Sequence, residues 1–194
     1  MPLGEGNVAA AMRRLHTTLA GPVLIEPVVH GDERGFFLET YRRNLFAQLG
    51  VDDDFVQDNH SRSRRGVVRG LHVQPGMAKL VRCVRGAIFD VVVDTRPGSE
   101  AFGRWEGHEL SDANHRMLYC PDGFAHGFCV LSEEADVVYG CSDYWDPQRE
   151  RAIAHDDPQI AIEWPAGLDL RPSARDAAAP ALSQLAGELP GEAG

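Results

Sequence analysis

Short apolar segments, interrupted every few residues by glycine, proline or aspartate, are the feature of this sequence that most restricts its fold. Many short strands at regular spacing are typical of a β-sandwich or β-barrel. No long helical pattern separates them, which disfavours a parallel sheet with crossover helices. We therefore predict a mainly all-β fold, an antiparallel barrel or jelly roll with a short helix or two. The segments are GVVRGLHV (66–73), KLVRCVRG (79–86), AIFDVVVD (87–94), GRWEGHEL (103–110), RMLYCP (116–121), GFCVLS (127–132) and ADVVYGCSDYW (135–145).

The chain is the size of one domain. It has 194 residues, and both of its ends are rich in small residues and weakly patterned. Upstream of the central segments, VLIEPVV (23–29) and FFLETY (36–41) flank a turn cluster, and NLFAQLG (44–50) has the spacing of a short helix that ends at Gly50. We expect a flexible N-terminal tail over 1–12, a single domain over 13–180 and a flexible C-terminal tail over 181–194.

Charge and cysteine content argue against several classes of protein. The formal net charge of −10 disfavours non-specific nucleic-acid binding, which needs a basic face. The sequence has neither a run of about 18 apolar residues nor the start of a secretory signal, so we expect no membrane association. The four cysteines show no Cys-x-x-Cys spacing. They predict reduced core residues in a cytoplasmic protein.

Basic residues are concentrated in one part of this acidic chain. Between Asn59 and Phe89 there is no acidic residue, yet there are seven basic ones: Arg62, Arg64, Arg65, Arg69, Lys79, Arg82 and Arg85. Two interpretations remain open from composition alone. The zone could form a local anion site for a phosphorylated small molecule. It could equally be a set of exposed strand charges that prevent edge-to-edge pairing.

His72 and Arg69 lie in the strand-like segment GVVRGLHV. A histidine there could be a general base, a metal ligand or a hydrogen-bonded core residue, and the segment alone favours the core. Strict alternation would place Arg69 and His72 on opposite faces of the strand. Gly70 between them permits a β-bulge, which would aim both side chains at one site.

The motif PDGFAHG (121–127) places His126 after a turn and before an apolar strand. Its Pro-x-Gly-x-x-His spacing is similar to the second motif of cupin barrels, where the histidine binds a metal together with a His-x-His pair and a glutamate. Here the earlier segment offers His72 alone, because position 74 is Gln and no acidic residue follows nearby. Three or four ligands are needed for such a site, so we predict no metal.

Three further positions carry side chains with chemical potential. Tyr139 could serve as a general acid, since its reference pKa is about 10. Tyr144 and Trp145 could stack on a base or a sugar, although strand aromatics more often pack in the core. Asp176, in the segment SARD, is a solvated carboxylate if it is alone. Opposite His72 it would orient the imidazole and raise its basicity.

Several long motifs, taken together and in order, resemble one family. They run from residue 23 to residue 180 and closely resemble the dTDP-4-dehydrorhamnose 3,5-epimerases. That resemblance implies a cupin-like jelly-roll β-barrel, a homodimer and no cofactor or metal. The motifs are GDERGFFLETY, QDNHSRSRRGVVRGLH, AKLVRCVRGAIFDVVVD, FGRWEGHELS, PDGFAHGFCVLS and CSDYWDPQRERAIAHDDPQIAIEWP followed by SARD.

The resemblance also implies roles for individual residues. His72 resembles the general base that removes a proton from a sugar carbon, and Asp176 its carboxylate partner. Lys79 resembles the cation beside the C4 oxygen, and Tyr139 the acid that returns a proton on the opposite face. The substrate-binding positions implied are Arg34, Phe37, Glu39, Gln57, Asn59, Arg69, His126, Tyr144, Trp145 and Arg175. Among them, Arg34, Arg69 and Arg175 resemble diphosphate contacts, and the stacking aromatic falls most nearly on Trp145.

The implied substrate is a dTDP-4-keto-6-deoxy sugar, epimerised at C3 and C5 through enolates for dTDP-rhamnose biosynthesis. One departure from the family bears on the outcome, because the segment VQPGMA between His72 and Lys79 is shorter than the usual loop. It leaves open an epimerase acting at C3 or C5 alone in a secondary-metabolite pathway. A non-catalytic sugar-nucleotide-binding cupin is a second alternative, and a metal-dependent cupin oxygenase is a third.

Overall fold

The computed structural model describes residues 12–185 and 187–189. Its strands are β1 (Met12–Leu15), β2 (Val23–Pro27), β3 (His30–Asp32), β4 (Gly35–Phe37), β5 (Gln57–Arg64), β6 (Val68–Val73), β7 (Lys79–Arg85), β8 (Ala87–Asp94), β9 (Trp105–Ser111), β10 (Met117–Cys120), β11 (Phe124–Val130), β12 (Glu134–Cys141) and β13 (Arg151–Ala152). Its helices are α1 (Arg43–Gln48), α2 (Ala174–Ala177) and α3 (Leu182–Leu185). The prediction of a mainly all-β chain with a few short helices is confirmed.

Two antiparallel sheets form the body of the molecule. The six-stranded sheet has the order β1-β2-β10-β7-β12-β5, and the five-stranded sheet has the order β13-β6-β11-β8-β9. Strands β3 and β4 form a separate two-stranded hairpin. From β5 to β13, successive strands alternate between the two large sheets, except that β8 and β9 are neighbours in one sheet. This alternation is the jelly-roll arrangement, and it closes the sheets into a barrel-like sandwich.

The core between the two sheets is built from their inward-facing residues. Val81 and Val137 of the six-stranded sheet join one buried cluster with Ile88, Leu110 and Phe128 of the five-stranded sheet. Fully burying an aliphatic or aromatic side chain of this size contributes roughly 1.5–3 kcal/mol. Strand β8 is buried along almost its whole length because β11 and β9 flank it on both sides. Packing between the inward faces therefore holds the two sheets together on either side of the cavity described below.

Two smaller apolar clusters cover the outer faces of the sheets. On the six-stranded sheet, Leu45 and Phe46 of α1 pack against Ile25 and Met117. On the five-stranded sheet, Leu71 and Val91 pack against the C-terminal segment, whose buried members are Ile153, Ile160, Leu182, Leu185 and Leu189. The C-terminal segment is thereby fixed along the outside of the sheet that carries β6.

The packed part of the chain extends past both ends of the predicted domain 13–180. The predicted N-terminal tail falls on residues 1–11, which lie outside the described residues, and on Met12, which is buried in β1. The predicted C-terminal tail includes α3, whose leucines complete the outer cluster. Residues 186 and 190–194 lie outside the described residues. In the described part of this tail, Leu182, Leu185 and Leu189 are buried against the sheet.

The four cysteines are unpaired and buried, as predicted for reduced core residues. Burial raises the pKa of Cys83 and of Cys120 to about 12, so both stay protonated at neutral pH. In the part of the chain that the structure describes, no helix has the length and apolar character needed to cross a membrane.

Candidate active site

A cavity of about 630 Å³ opens between the two large sheets. Strands β5, β7 and β12 supply one wall, β6 and β11 supply the other, and the segment before and through α2 closes one side. Ten of the fourteen candidate residues line it: Gln57, Asn59, Arg69, His72, Lys79, His126, Tyr139, Trp145, Arg175 and Asp176. Side chains from distant parts of the sequence therefore converge on one space of the size usual for small-molecule sites.

Arg69 and His72 both reach the cavity because β6 contains a bulge. Arg69 pairs with Phe128 and His72 pairs with His126, so three steps along β6 oppose two steps along β11. The extra residue falls at Gly70, which has a φ of +109° and approaches the β11 backbone closely. A Cβ on Gly70 would lie 2.6 Å from the Gly127 Cα. The β-bulge that the glycine permits is confirmed, and it aims both side chains at one site.

His72 is hydrogen-bonded to Asp176 across 104 residues of sequence. The distance from His72 Nε2 to Asp176 Oδ1 is 2.7 Å. Because a carboxylate only accepts hydrogen bonds, Nε2 carries the hydrogen, and Nδ1 keeps a free lone pair that can take a proton. Burial alone would raise the pKa of Asp176, but hydrogen bonds from His72, Ser173 and the Gly70 backbone hold that pKa below its usual value. The carboxylate therefore stays ionised beside the imidazole.

A short helix places Asp176 in this position. Ser173 caps α2, and its hydroxyl accepts a hydrogen bond at 3.1 Å from the backbone N–H of Asp176. This is the usual capping arrangement, with an acidic residue three positions after the cap. The aspartate is buried, whereas most of the residues around it in the segment are exposed. The SARD motif thus forms a short capped helix that directs the Asp176 carboxylate inward.

Tyr139 faces the cavity from the opposite sheet. It lies on β12 and pairs with Asn59 of β5 and with Val81 of β7. Burial raises the pKa of its hydroxyl, and the nearby Cys141 and Glu150 add to this, while Arg69 offsets it in part. The phenol is therefore protonated at neutral pH and able to donate a proton.

His126 neighbours His72 across the β6–β11 pairing but is more deeply buried. Its Nε2 lies 2.8 Å from Oδ1 of Asp90, a residue that is fully buried on β8. The other carboxylate oxygen, Oδ2, has no hydrogen-bond partner among the residues that the structure describes. His126 thus contributes a fixed imidazole to the cavity wall, held from behind by a carboxylate.

Arg69 and Lys79 bring positive charge to the cavity. Arg69 Nε donates to the hydroxyl of Ser63 at 2.9 Å, and Lys79 Nζ donates to the carbonyl of His72 at 3.4 Å. The basic zone divides into side chains that face the cavity and side chains that form ion pairs elsewhere. These two side chains line the cavity, while Arg62 and Arg85 form surface ion pairs with Asp136 and Glu134. Arg62 belongs to β5, the edge strand of its sheet.

Gln57, Asn59 and Trp145 form a hydrogen-bonded group at the rim. Gln57 Nε2 donates to Asn59 Oδ1 at 3.2 Å, and Gln57 Oε1 accepts from the backbone N–H of Trp145 at 3.1 Å. The Trp145 residue is 52% exposed, so its indole edges the cavity and remains open to a ligand. A flat aromatic surface in this position can stack on a planar base.

Glu150 is a cavity residue that the sequence analysis missed. Its Oε2 accepts from Arg175 Nη2 at 2.6 Å, and its Oε1 lies 4.0 Å from Nδ1 of His72. Among the charged residues of DPQRER, no periodic pattern marks this one as buried. Arg171 also lines the cavity without having been predicted. Both residues depend on the path of the C-terminal segment, which periodicity does not reveal.

Four candidate residues lie away from this chain's cavity, which differs from the prediction. Arg34, Phe37 and Glu39 belong to the β3–β4 hairpin or follow it, and every residue of that hairpin is exposed. Arg34 forms an ion pair with Asp32, and Glu39 one with Arg42. Phe37 is 68% exposed because the hairpin pairs with neither large sheet. Tyr144 is also 68% exposed, since its neighbour Trp145 takes the cavity side.

Within residues 12–185 and 187–189, no group of three or more histidine, cysteine, aspartate or glutamate side chains is arranged to hold a metal ion. The two histidines that face the cavity are each engaged by a carboxylate, His72 by Asp176 and His126 by Asp90. Both imidazoles are therefore fixed in orientation by a carboxylate partner.

Comparison with known proteins identifies related sugar-nucleotide epimerases. A family model described as dTDP-4-dehydrorhamnose 3,5-epimerase matches residues 16–184. The Pseudomonas aeruginosa protein named dTDP-4-dehydrorhamnose 3,5-epimerase is 53% identical over 77% of this chain and 85% of its own length. A Streptomyces niveus protein named dTDP-4-dehydrorhamnose 3-epimerase is 46% identical over 86% of this chain and 83% of its own length.

A solved structure resembles this chain in fold as well as in sequence. It is a dTDP-6-deoxy-D-glucose-3,5-epimerase from Legionella pneumophila in complex with dTDP-4-keto-L-rhamnose. The two structures superpose with a TM-score of 0.90 at 46% identity, covering 94% of this chain and 100% of the other.

Proposed function

The chain belongs to the dTDP-4-dehydrorhamnose 3,5-epimerase family, and from that premise we propose that it is an isomerase of a dTDP-4-keto-6-deoxy sugar. It epimerises dTDP-4-dehydro-6-deoxy-D-glucose at C3 and C5 and yields dTDP-4-dehydro-L-rhamnose, in dTDP-rhamnose biosynthesis. One observation carries the assignment. A histidine on one sheet, oriented by an aspartate of α2, and a protonated tyrosine on the other sheet line the same cavity.

The chemistry requires that a proton leave one face of a carbon and return to the other. A hydrogen on the carbon beside a ketone is weakly acidic, because the carbanion delocalises into an enolate. Nδ1 of His72 takes the proton from C3 or C5, and the electron pair moves into the C4 carbonyl. Lys79 stabilises the negative charge on the C4 oxygen, a kind of contact worth about 3–4 kcal/mol in oxyanion holes. Tyr139 then donates its proton to the opposite face of the carbon.

Binding of the nucleotide uses the polar rim. Arg69 and Arg175 provide guanidinium groups for the diphosphate, and guanidinium forks match phosphate geometry. Trp145 stacks on the thymine, while Gln57 and Asn59 supply amide groups beside it. His126 lies against the sugar. The net charge of −10 makes this local positive site the part of the surface that suits an anionic substrate.

A second copy of the chain completes the site in this proposal. Arg34, Phe37 and Glu39 are substrate-binding candidates, yet they lie on or beside a hairpin that stands out from the chain's own cavity. A homodimer in which the hairpin reaches the partner's cavity accounts for both facts. The apolar exposure of Phe36 and Phe37 supports burial against another surface. The buried, unpaired cysteines support a reducing, cytoplasmic location.

A C3-only or C5-only epimerase is the second candidate function. It is favoured by the similarity to a named 3-epimerase and by the short loop between His72 and Lys79, two residues that act on the same sugar. The non-catalytic sugar-nucleotide-binding cupin is disfavoured, because an inert binder has no need to keep His72, Asp176, Lys79 and Tyr139 on one cavity.

The decisive experiment is proton NMR of the substrate in D₂O with the purified protein. Each carbon that is epimerised exchanges its hydrogen for deuterium, so loss of both the C3 and C5 signals is expected. Exchange at one carbon alone would replace the main proposal by the mono-epimerase. A protein that binds the nucleotide but exchanges neither hydrogen would contradict both and leave the non-catalytic binder.

A further inference from the structure

The loop between β6 and β7 carries a polar side chain, Gln74, that is almost completely buried. The residue is 2% exposed, and both ends of its carboxamide are bonded to one short backbone segment. Nε2 donates to the carbonyl of Tyr144 at 2.9 Å, and Oε1 accepts from the N–H of Asp146 at 2.8 Å. The carboxamide thus pairs with this segment as a neighbouring strand would. Among the neutral side chains, a carboxamide is the one able to donate and accept in this way at once.

The residue between the two bonded peptide groups is Trp145. Its own N–H donates to Gln57 Oε1, so two glutamine side chains hold three consecutive residues. The indole itself is half exposed and has little burial to fix it. The direction of the indole over the cavity therefore depends on its backbone, and the backbone depends on these hydrogen bonds.

Other contacts tie the same two loops together around Gln74. The backbone N–H of Ala78 donates to the hydroxyl of Ser142 at 2.8 Å. Arg149 pairs with Asp143 at 2.7 Å and also donates to the carbonyl of Pro75. The two Arg149 contacts are exposed, whereas Gln74 and Ala78 are buried. Gln74 follows His72 by two residues in the chain, so it connects the segment that carries the catalytic histidine to the segment that carries Trp145.

We propose that Gln74 is a positioning residue for nucleotide binding, which acts by holding Trp145 in the orientation that stacks on the base. The inference rests on the proposed function, because it takes Trp145 as the stacking surface. It goes beyond that function by assigning the affinity for the base to a side chain that does not touch the ligand. Gln74 is absent from the cavity lining, as such an indirect role requires.

The test uses Gln74→Met, which keeps the length of the side chain and removes both hydrogen bonds. Methionine fills irregular apolar space well, so the change is gentle on packing. Dissociation constants are measured by calorimetry for dTDP and for inorganic pyrophosphate, which has no base. We expect Gln74→Met to weaken dTDP roughly tenfold, the scale of one base–aromatic stack, and pyrophosphate less than about twofold. In turnover, KM for the sugar nucleotide rises while kcat changes less than about twofold. The matched control is Gln148→Met, at an exposed glutamine in the same region.

A double-mutant cycle with Trp145→Ala separates positioning from general structure. If Gln74 acts through the indole, the double variant binds dTDP no more than about twofold more weakly than Trp145→Ala alone. Additive losses, a parallel fall in kcat or an unchanged dTDP affinity in Gln74→Met would each overturn the inference. Should Gln74→Met fail to fold, Gln74→Glu replaces it, since it keeps the acceptor for Asp146 and loses the donor to Tyr144.

The outcomes also separate the inference from the proposed function. Wild-type protein that exchanges the sugar hydrogens, together with an unaltered affinity in Gln74→Met, overturns the role of Gln74 alone. Wild-type protein that binds dTDP with no exchange overturns the epimerase activity and leaves the positioning role to be decided by the cycle. Wild-type protein that binds no dTDP overturns both.

Discussion

Two histidine–aspartate pairs lie side by side in this molecule and differ in what surrounds them. His72 and His126 are partners in the β6–β11 pairing, and each bonds a carboxylate through Nε2, at 2.7 and 2.8 Å. The His72 side chain is 24% exposed and the His126 side chain 8%. Asp176 is held by several donors, whereas one oxygen of Asp90 has no partner in the part of the chain that the structure describes.

The comparison shows that a histidine–aspartate pair can either transfer protons to a ligand or stabilise the fold. An imidazole with an accessible second nitrogen and a well-solvated approach can exchange protons with a ligand. An imidazole that is enclosed with a fully buried carboxylate mainly keeps that carboxylate from being an unpaired buried charge. We therefore assign proton transfer to the His72 pair and rigidity of the cavity wall to the His126 pair, and variants can separate the two.

The largest effect is expected for His72→Asn. Asparagine keeps a polar group beside Asp176 but cannot take a proton at neutral pH, so hydrogen exchange at C3 and C5 should fall about 10²–10⁴-fold. Affinity for dTDP should stay within about threefold, because the base does not carry the nucleotide contacts. Deuterium incorporation and calorimetry measure the two quantities. Near wild-type exchange would remove His72 from the role of base.

A smaller and more selective effect is expected for Tyr139→Phe. The ring and its packing are kept and the hydroxyl is lost, so the fold should be little disturbed. Net inversion should fall about 10²-fold or more, while washout of the substrate hydrogen into D₂O falls far less. NMR of one reaction gives both rates. Equal losses of inversion and of washout would show that the phenol is needed before reprotonation. They would contradict the proposal that one sheet supplies the base and the other supplies the acid.

His126→Asn is expected to lower mainly the stability of the fold, whereas His72→Asn is expected to lower mainly hydrogen exchange. The shorter asparagine cannot reach as far as the imidazole, so it leaves the fully buried Asp90 without its one hydrogen-bond donor, and an unsatisfied buried group costs about 1–3 kcal/mol of stability. His72→Asn should cost less, since His72 is partly exposed and Asp176 keeps its hydrogen bonds from Ser173 and the Gly70 backbone. Urea unfolding of the two variants gives the comparison directly. The assignment of architecture to His126 fails if the two variants are equally stable.

Acid should weaken the His72 pair in a defined direction. The pKa of Asp176 is lowered in the folded protein, so the unfolded chain binds more protons and the pair stabilises the fold above the ordinary aspartate pKa of about 3.9. That stability is lost as the pH falls through the lowered pKa. Asp176→Asn should therefore make the free energy of unfolding less dependent on pH below about 4. Urea titrations at several acidic pH values test this, with Asp122→Asn as a control at an exposed aspartate.

The smallest effect is expected from removing metal ions. The two cavity histidines are engaged by carboxylates, and the sequence lacks the His-x-His and glutamate ligands of metal cupins. Dialysis against EDTA should leave turnover within about twofold. Loss of activity that zinc, manganese or iron restores would contradict the acid–base mechanism for both histidines.

Local chemistry explains which parts of the structure were predictable. Strands and their breaks follow from the period of apolar residues, and the bulge in β6 follows from a glycine between two residues that must share a side. The link between His72 and Asp176 is not local, and it came from the resemblance to a family. Glu150 was missed as a cavity residue and Gln74 as a buried one, because a single inward-facing polar residue leaves no periodic trace. The hairpin residues were expected in the site, but one chain alone leaves them in solvent.

The distance along the chain between the two members of the His72 pair has a consequence for how the protein acquires its activity. His72 and Asp176 are separated by 104 residues, and at about 5–20 residues per second the ribosome supplies the second several seconds after the first. The strands from β7 to β13 are all made in the interval. Because contacts of high sequence separation form late, we expect the barrel to close before its base is oriented. Orientation of the base is then the last step, so a chain that ends before Asp176 lacks the carboxylate that orients His72.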